Sequence, residues 1–199
     1  FGQNSLDDGD HNPVTPDDVA TIFEMALADL SIEEMLGGLS WPIFGEEGQA
    51  FSYSLAFQTA SQDPPSVGLL LGDGHLAMQV KLERVHIEAL IKGECYQMGI
   101  IEICPPNLGL GTIDIAEAVI TFTIVPHVDP ETSEVVFEVL AAASEFNGIE
   151  IKGEGSLGDI FDDLNGLVNS ELKVFLEDYL AEMIKDELAG ALHGMIQGW

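Results

Sequence analysis

From about Ser156 to the C-terminus the chain carries one uninterrupted helical pattern. Leu157, Ile160, Phe161, Leu164, Leu167, Val168, Leu172, Phe175, Leu176, Tyr179, Leu180, Met183, Ile184, Leu188, Leu192 and Ile196 recur at i, i+3, i+4 and i+7 spacing, and Asp and Glu fill the opposite face. About 40 residues at 1.5 Å each make a rod of about 60 Å. A compact chain of 199 residues is only about 40 Å across, so the rod does not fit inside a sphere. The apolar stripe is broader than the narrow seam of a coiled coil, and its natural partner is a wide concave surface.

The middle of the chain supplies that surface. From Ala50 to Ile151 the apolar period falls to two, with turn residues at Asp63-Pro64-Pro65, Gly72-Asp73-Gly74, Gly99, Pro105-Pro106-Asn107, Asp129-Pro130 and Asn147-Gly148. Two long strands change phase partway. Leu76, Met78, Val80 and Leu82 alternate on even positions, and Val85, Ile87, Ala89 and Ile91 on odd ones, with Glu83-Arg84 between. Ile113 and Ile115 are odd, whereas Ala118, Ile120, Phe122 and Ile124 are even, with Ala116-Glu117 between. One extra residue in a strand is what a β-bulge contributes, and bulges bend a sheet, so the pattern predicts a strongly coiled antiparallel sheet.

Cys95 and Cys104 flank Gly99-Ile100. A two-residue type II′ turn with Gly first pairs 98 with 101 and 95 with 104, a non-hydrogen-bonded rung about 4.5 Å apart at Cα. The spacing predicts a disulfide in preference to free thiols, and with it an oxidising compartment.

Ahead of the sheet, Thr15-Pro16-Asp17-Asp18 reads as a helix start: a hydroxyl cap, proline at the first position and acids at the positive end of the dipole. Val19, Ile22, Phe23, Ala26 and Leu30 continue at helical spacing, so a first helix is expected to run to Gly37-Gly38, with an interruption near Ser31. Residues 1–14, with Asp7, Asp8, Gly9, Asp10 and Pro13, lack periodicity and are expected to form a flexible acidic leader, leaving 15–199 as a single domain. Asp8, Asp10 and Asn12 alternate like calcium ligands, but Pro13 stands where an EF-hand needs Gly and Val19 where it needs Glu. No metal site is assigned.

The net charge is −29, from 35 acids against 6 bases, yet 46% of residues are hydrophobic, which disordered acidic chains are not. Six scattered bases exclude a phosphate-binding surface, so no nucleic-acid partner is expected, and adhesion to an anionic membrane is disfavoured. No apolar run reaches the roughly 18 residues of a membrane span, so no stable integral membrane association is expected. No basic and apolar signal segment opens the chain, so a secreted or periplasmic protein with its signal peptide removed is expected.

Catalytic motifs fail on inspection. Gly153-Glu154-Gly155-Ser156-Leu157-Gly158 satisfies G-x-G-x-x-G between a strand and a helix, but the chain ends with that helix and leaves no second parallel strand for a dinucleotide-binding unit. Glu154 stands where a nucleophile elbow around Ser156 needs its first Gly. His11, His75, His86, His127 and His193 show no zinc spacing, and the adjacent acids mark a solvated face. The sequence names no nucleophile, base and orienter set, no enzyme activity and no cofactor.

In its order of parts the sequence resembles the tubular lipid-binding (TULIP) superfamily, which includes bactericidal permeability-increasing protein, cholesteryl ester transfer protein, insect takeout proteins and mite group-seven allergens. The resemblance covers residues 15–199: an N-terminal helix, Pro65-Ser66-Val67-Gly68-Leu69 feeding the strand from Gly74 to Gly93, a single disulfide, a second long strand and the terminal helix. It implies an α+β fold in which a highly curved antiparallel sheet wraps the long C-terminal amphipathic helix, with a shorter N-terminal helix. It further implies a lipid or fatty-acyl ligand in the apolar seam, and tip-to-tip homodimers in several members. Two features depart from the family: the cysteine loop is short, and no basic tip for lipopolysaccharide is present.

The seam so placed is lined from the first helix and sheet by Ile22, Phe23, Leu76, Met78, Val80, Ile87, Ile120, Phe122, Phe137 and Val139. From the terminal helix it is lined by Leu164, Val168, Leu172, Phe175, Tyr179 and Met183. Ordinary core is the competing reading of each, as in an interaction module of the same fold with a side-chain-filled interior. Adaptable thioethers and rings favour a ligand.

Overall fold

The structure, a computed structural model, describes residues 3–15, 17–44, 52–128, 130, 135–153 and 157–197. Within these, the side chains of 4, 43–44, 135–137, 141–142, 157–169 and 191–197 are outside the description.

Three short helices open the chain: α1 (Gln3–Leu6), α2 (Val19–Ala26) and α3 (Ile32–Leu36). The expected start at Thr15 is corrected: Asp18 is the cap of α2, extended at φ −125° and ψ 164°, and its Oδ1 accepts from Thr21 N at 2.6 Å. A carboxylate three residues before a free amide competes better for the helix end than a hydroxyl further upstream. The expected interruption is real, and Ser31 caps α3 by accepting from Glu34 N at 3.3 Å.

Residues 3–14 pack on the domain, where a flexible leader had been expected. Leu6 is buried, and the acidic stretch is held by successive side-chain turns in which Asp7, Asp8, Asp10 and Asn12 each accept the amide two residues on, at 2.9–3.0 Å. The reason lies in strand β3 (Ser66–Leu71), which among the described strands pairs only with β4 (Leu76–Gly93) and leaves its other edge without a strand partner. That edge is capped by side chains: Val67 N donates to Glu24 at 2.7 Å, Leu69 N to Asp7 at 3.0 Å and Leu71 N to Gln3 at 3.3 Å, while Gln3 donates back to Leu69 O at 2.6 Å. Capping these groups also denies the edge to another strand.

The remaining strands are β1 (Ser40–Phe44), β2 (Tyr53–Ser61), the small hairpin β5 (Tyr96–Met98) and β6 (Ile101–Ile103), β7 (Gly109–Val128) and β8 (Val135–Gly153). The main sheet runs β1-β2-β4-β7-β8, antiparallel throughout, with β3 beside the first half of β4. The hairpin has the expected register: Met98 faces Ile101, Tyr96 faces Ile103, and Cys95 and Cys104 form a disulfide with Cα atoms 4.0 Å apart. Gly99 has φ +69° and Ile100 is not left-handed, as a type II′ turn requires.

The two expected bulges are corrected to one feature shared by three strands. Leu82 pairs with Ala118, Glu83 with Glu117 and Val85 with Ile115, so β4 and β7 keep a single register through the phase change. β7 and β8 do the same from Ile115–Ile149 to Glu117–Asn147. Arg84 (φ +50°), Ala116 and Gly148 (φ +66°) therefore lie in line across the sheet, and each strand turns over there in step with its neighbours. The result is a crease, with buried positions even on one side and odd on the other. True register shifts occur elsewhere, between Phe57 and Thr59 on β2 and opposite Phe122 and Ile124 on β8.

Helix α4 (Leu157–Gln197) has 41 residues, about 60 Å, which matches the 18 residues of β4 at about 3.3 Å each. Its middle touches both ends of the sheet. Phe175 lies 6.1 Å from Trp41 of β1 and 6.5 Å from Phe57 of β2, ring centre to ring centre. Two residues further on, Glu177 accepts from Phe146 N of β8 at 3.0 Å, while Lys173 donates to Phe146 O at 3.1 Å. Five flat strands would put β1 and β8 about 19 Å apart, so one helix turn reaches both only because the sheet curls around it. Lys173 and Glu177, one turn apart on α4, also occupy the free edge of β8.

Candidate ligand groove

Along its described middle, the seam between α4 and the sheet is filled. Met78, Val80, Ile87, Ile120 and Phe122 have no accessible surface, and Leu172 has 1%. Side chains without accessible surface border no space that would admit a water molecule. These six expected lining residues are therefore core in this structure, and the reason is the curl: a helix held at both sheet edges leaves no gap beneath it. Phe23 is buried at 3%, Leu76, Val139, Phe175 and Tyr179 are half-buried against the same core, and Ile22 is half-buried. The side chains of Phe137, Leu164 and Val168 lie outside the described residues, as does most of the glycine motif after Gly153.

Open space lies beside the helix: a groove of about 430 Å³ with a largely polar lining runs between β8 and α4, and another lies where α2 and α3 approach the second half of α4. The latter groove, of about 500 Å³, is lined by Leu27 and Leu30 from the connection between α2 and α3, by Met35 from α3 and by Met183 and Gly190 from α4. Met183 is the expected lining residue that the structure brings there. The Tyr179 hydroxyl donates to Met35 O at 2.9 Å, which ties α3 to α4. Asp29, Glu34 and Glu187 stand on the lining, with no basic residue among them. The groove thus combines a mixed polar and apolar lining with a negative rim. Leu27 and Met35 were not singled out in the sequence; both Met35 and Met183 line the groove, but no local pattern pairs two thioethers so far apart in the chain.

Other polar groups form surface ladders. His86 Nδ1 lies 2.6 Å from Asp114 Oδ1, and Lys152 Nζ is 3.6 Å from the same carboxylate. Ser61 sits in register beside His86 on β2. All of these lie on the open face, half-exposed or more. Lys81 bridges Glu83 at 2.6 Å and Glu117 at 2.8 Å, and the hydrogen bonds it donates to Glu117 and Glu83, aided by their charge, push its ammonium pKa well above the usual range. Among the described residues, Asp8, Asp10 and Asp17 form an exposed carboxylate cluster at the leader.

A long helix gripped by both margins of a curled antiparallel sheet is the TULIP-like fold that the sequence leads one to expect, and the comparison with solved structures bears that fold out. Among solved structures, it matches the crystal structure of lipopolysaccharide binding protein with a TM-score of 0.55 and 17% identity over 90% of this chain. The chain spans about 39% of the length of that protein. No family model and no curated protein matches the sequence. Among the described residues, no helix is long and apolar enough to cross a membrane.

Proposed function

We propose that the protein binds the apolar part of a lipid or similar small hydrophobic ligand in the groove between α2–α3 and α4, without chemical conversion of it. The groove itself carries this reading: about 500 Å³ of space walled by Leu27, Leu30, Met35 and Met183 in a fold shared with a lipopolysaccharide binding protein. Ligand sites of small molecules begin near ~300 Å³. The acids at Asp29, Glu34 and Glu187 oppose a carboxylate or phosphate at the rim, so an uncharged or cationic head group fits best. Binding there requires no separation of α4 from the sheet. The helices and sheet of residues 15–199 act as one unit, and the disulfide supports export to an oxidising compartment, secreted or periplasmic.

Gly190 provides the test. A Cβ built on it meets nothing within 4 Å, so Gly190→Phe can fill the groove without displacing backbone. Uptake of a fluorescent monoacylglycerol is expected for the parent and lost in Gly190→Phe, while the helix keeps or gains stability, since Gly is about 0.8–1 kcal/mol worse than Ala in a helix. Equal uptake by both proteins would refute groove binding.

The filled seam favours a second reading, an interaction module of the same fold that works through a protein partner or a homodimer. Native mass spectrometry of protein purified without detergent separates the two. A copurifying lipid supports the first reading, and a lipid-free dimer the second.

A further inference from the structure

The disulfide hairpin is built against the grain of a soluble surface. Met98 and Ile101 are 67% and 62% exposed, and Ile100 between them is entirely exposed at the second position of the turn. A type II′ turn needs Gly99 but places no demand on residue 100, where polar residues are the norm. Nothing in β5 or β6 enters the core, so the tip owes its shape to the turn, two short strands and the Cys95–Cys104 bond. The hairpin leaves the body where the β4–β7 ladder ends at Ile91–Gly109, at one extremity of the long axis.

We propose that this hairpin inserts end-on into an uncharged or zwitterionic lipid surface, with Met98, Ile100 and Ile101 as the inserted residues. Four residue steps from Cys95 to Gly99 at about 3.4 Å each give a reach of about 14 Å, enough for the ~5–10 Å depth at which apolar side chains lodge below head groups. Tyr96, two rungs from the turn, then lies at head-group level, where its amphipathic ring is favoured. The disulfide fixes the tip in advance, so insertion orders little further chain.

Charge and area select the occupant. Between Gly93 and Gly109 there is no Lys or Arg, the charged residues are Glu94 and Glu102, and the chain carries −29, so an anionic surface repels it. Three side chains at roughly 60–120 Å² each fall well short of the ~800 Å² per partner of a stable protein interface. A lipid surface has no such minimum.

The test uses sedimentation with vesicles of pure phosphatidylcholine. The parent is expected to bind them, and more weakly when a third of the lipid is phosphatidylserine. Ile100→Asp, and separately Met98→Ser with Ile101→Ser, are expected to weaken binding to phosphatidylcholine at least about tenfold, with unchanged urea unfolding because these side chains touch no core. Ile100→Trp should show a blue-shifted emission on adding vesicles. Gly190→Phe should bind vesicles as the parent does, which keeps failure of the groove separate from failure of the hairpin. No binding by the parent at millimolar lipid, or equal binding by Ile100→Asp, would overturn insertion. So would a shift of parent dimer to variant monomer with vesicle binding unchanged, which would make the hairpin a contact between copies.

Discussion

Adding one methyl group at Gly148 tests whether the crease sets the curl of the sheet. Gly148 has φ +66°, and a Cβ built there lies 2.8 Å from Ala116 Cβ on the neighbouring strand. Two separate costs follow. The left-handed backbone costs a non-glycine residue about 1–2 kcal/mol, and overpacking against Ala116 adds about 1–3 kcal/mol. Gly148→Ala should therefore lose about 2–5 kcal/mol in urea unfolding, followed by circular dichroism and fluorescence with the m-value held as a check. Ala116→Gly removes the opposing methyl and alone should cost about 0.5–1 kcal/mol, since Ala116 is exposed. In the double variant the collision is gone and the backbone cost remains, so the two changes should couple favourably by about 1–3 kcal/mol. Additivity within about 0.5 kcal/mol, or a loss below 1 kcal/mol for Gly148→Ala, would show that Ala116 and Gly148 do not meet across a tight crease.

Leu180 has no accessible surface and packs in the filled seam, so Leu180→Ala should destabilise the fold by about 2–5 kcal/mol; a loss below 1 kcal/mol, measured by urea titration, would mean the seam is not solid there. Asp18 is 2% exposed; burial opposes its charge, but the amides of Asp8 and Thr21 outweigh burial and hold its carboxyl below the ordinary value. A depressed folded pKa gives stability that is present at neutral pH and lost as pH falls through the folded value. The stability gap between the parent and Asp18→Asn should accordingly shrink below about pH 4, and an unchanged gap from pH 7 to pH 3 would refute the assignment. Reducing Cys95–Cys104 removes about 2–3 kcal/mol of loop constraint, but the hairpin lends nothing to the core. Faster amide exchange at 96–103 is expected with little change in global melting, and a large drop in Tm would show that the hairpin supports the body.

Much of the molecule is written in local pattern. The phase of apolar residues on α4 states a single long helix, Gly99 between Cys95 and Cys104 states a hairpin and its register, and the parity change at Glu83-Arg84 and Ala116-Glu117 marks where strands turn over. These signals rest on backbone periods and turn sterics, which neighbours in sequence suffice to set. Of Thr15 and Asp18, the side chain that caps the helix is also the one that receives the amide of Asp8 at 2.9 Å, a contact that exists only once the leader folds back.

The tertiary structure alone decided the rest. Whether two phase changes were separate bulges or one crease depended on the pairing of β4, β7 and β8, because only partners in register show that three strands turn over together. The leader docked because the edge of β3 offered unpaired amides to Gln3 and Asp7, and no local pattern reports a distant strand's vacant hydrogen bonds. The same limit governs the site. An apolar stripe records which side chains leave water, and whether they meet each other or a ligand is fixed by how closely Trp41 and Phe146, from opposite ends of the sheet, draw in on Phe175 and Glu177.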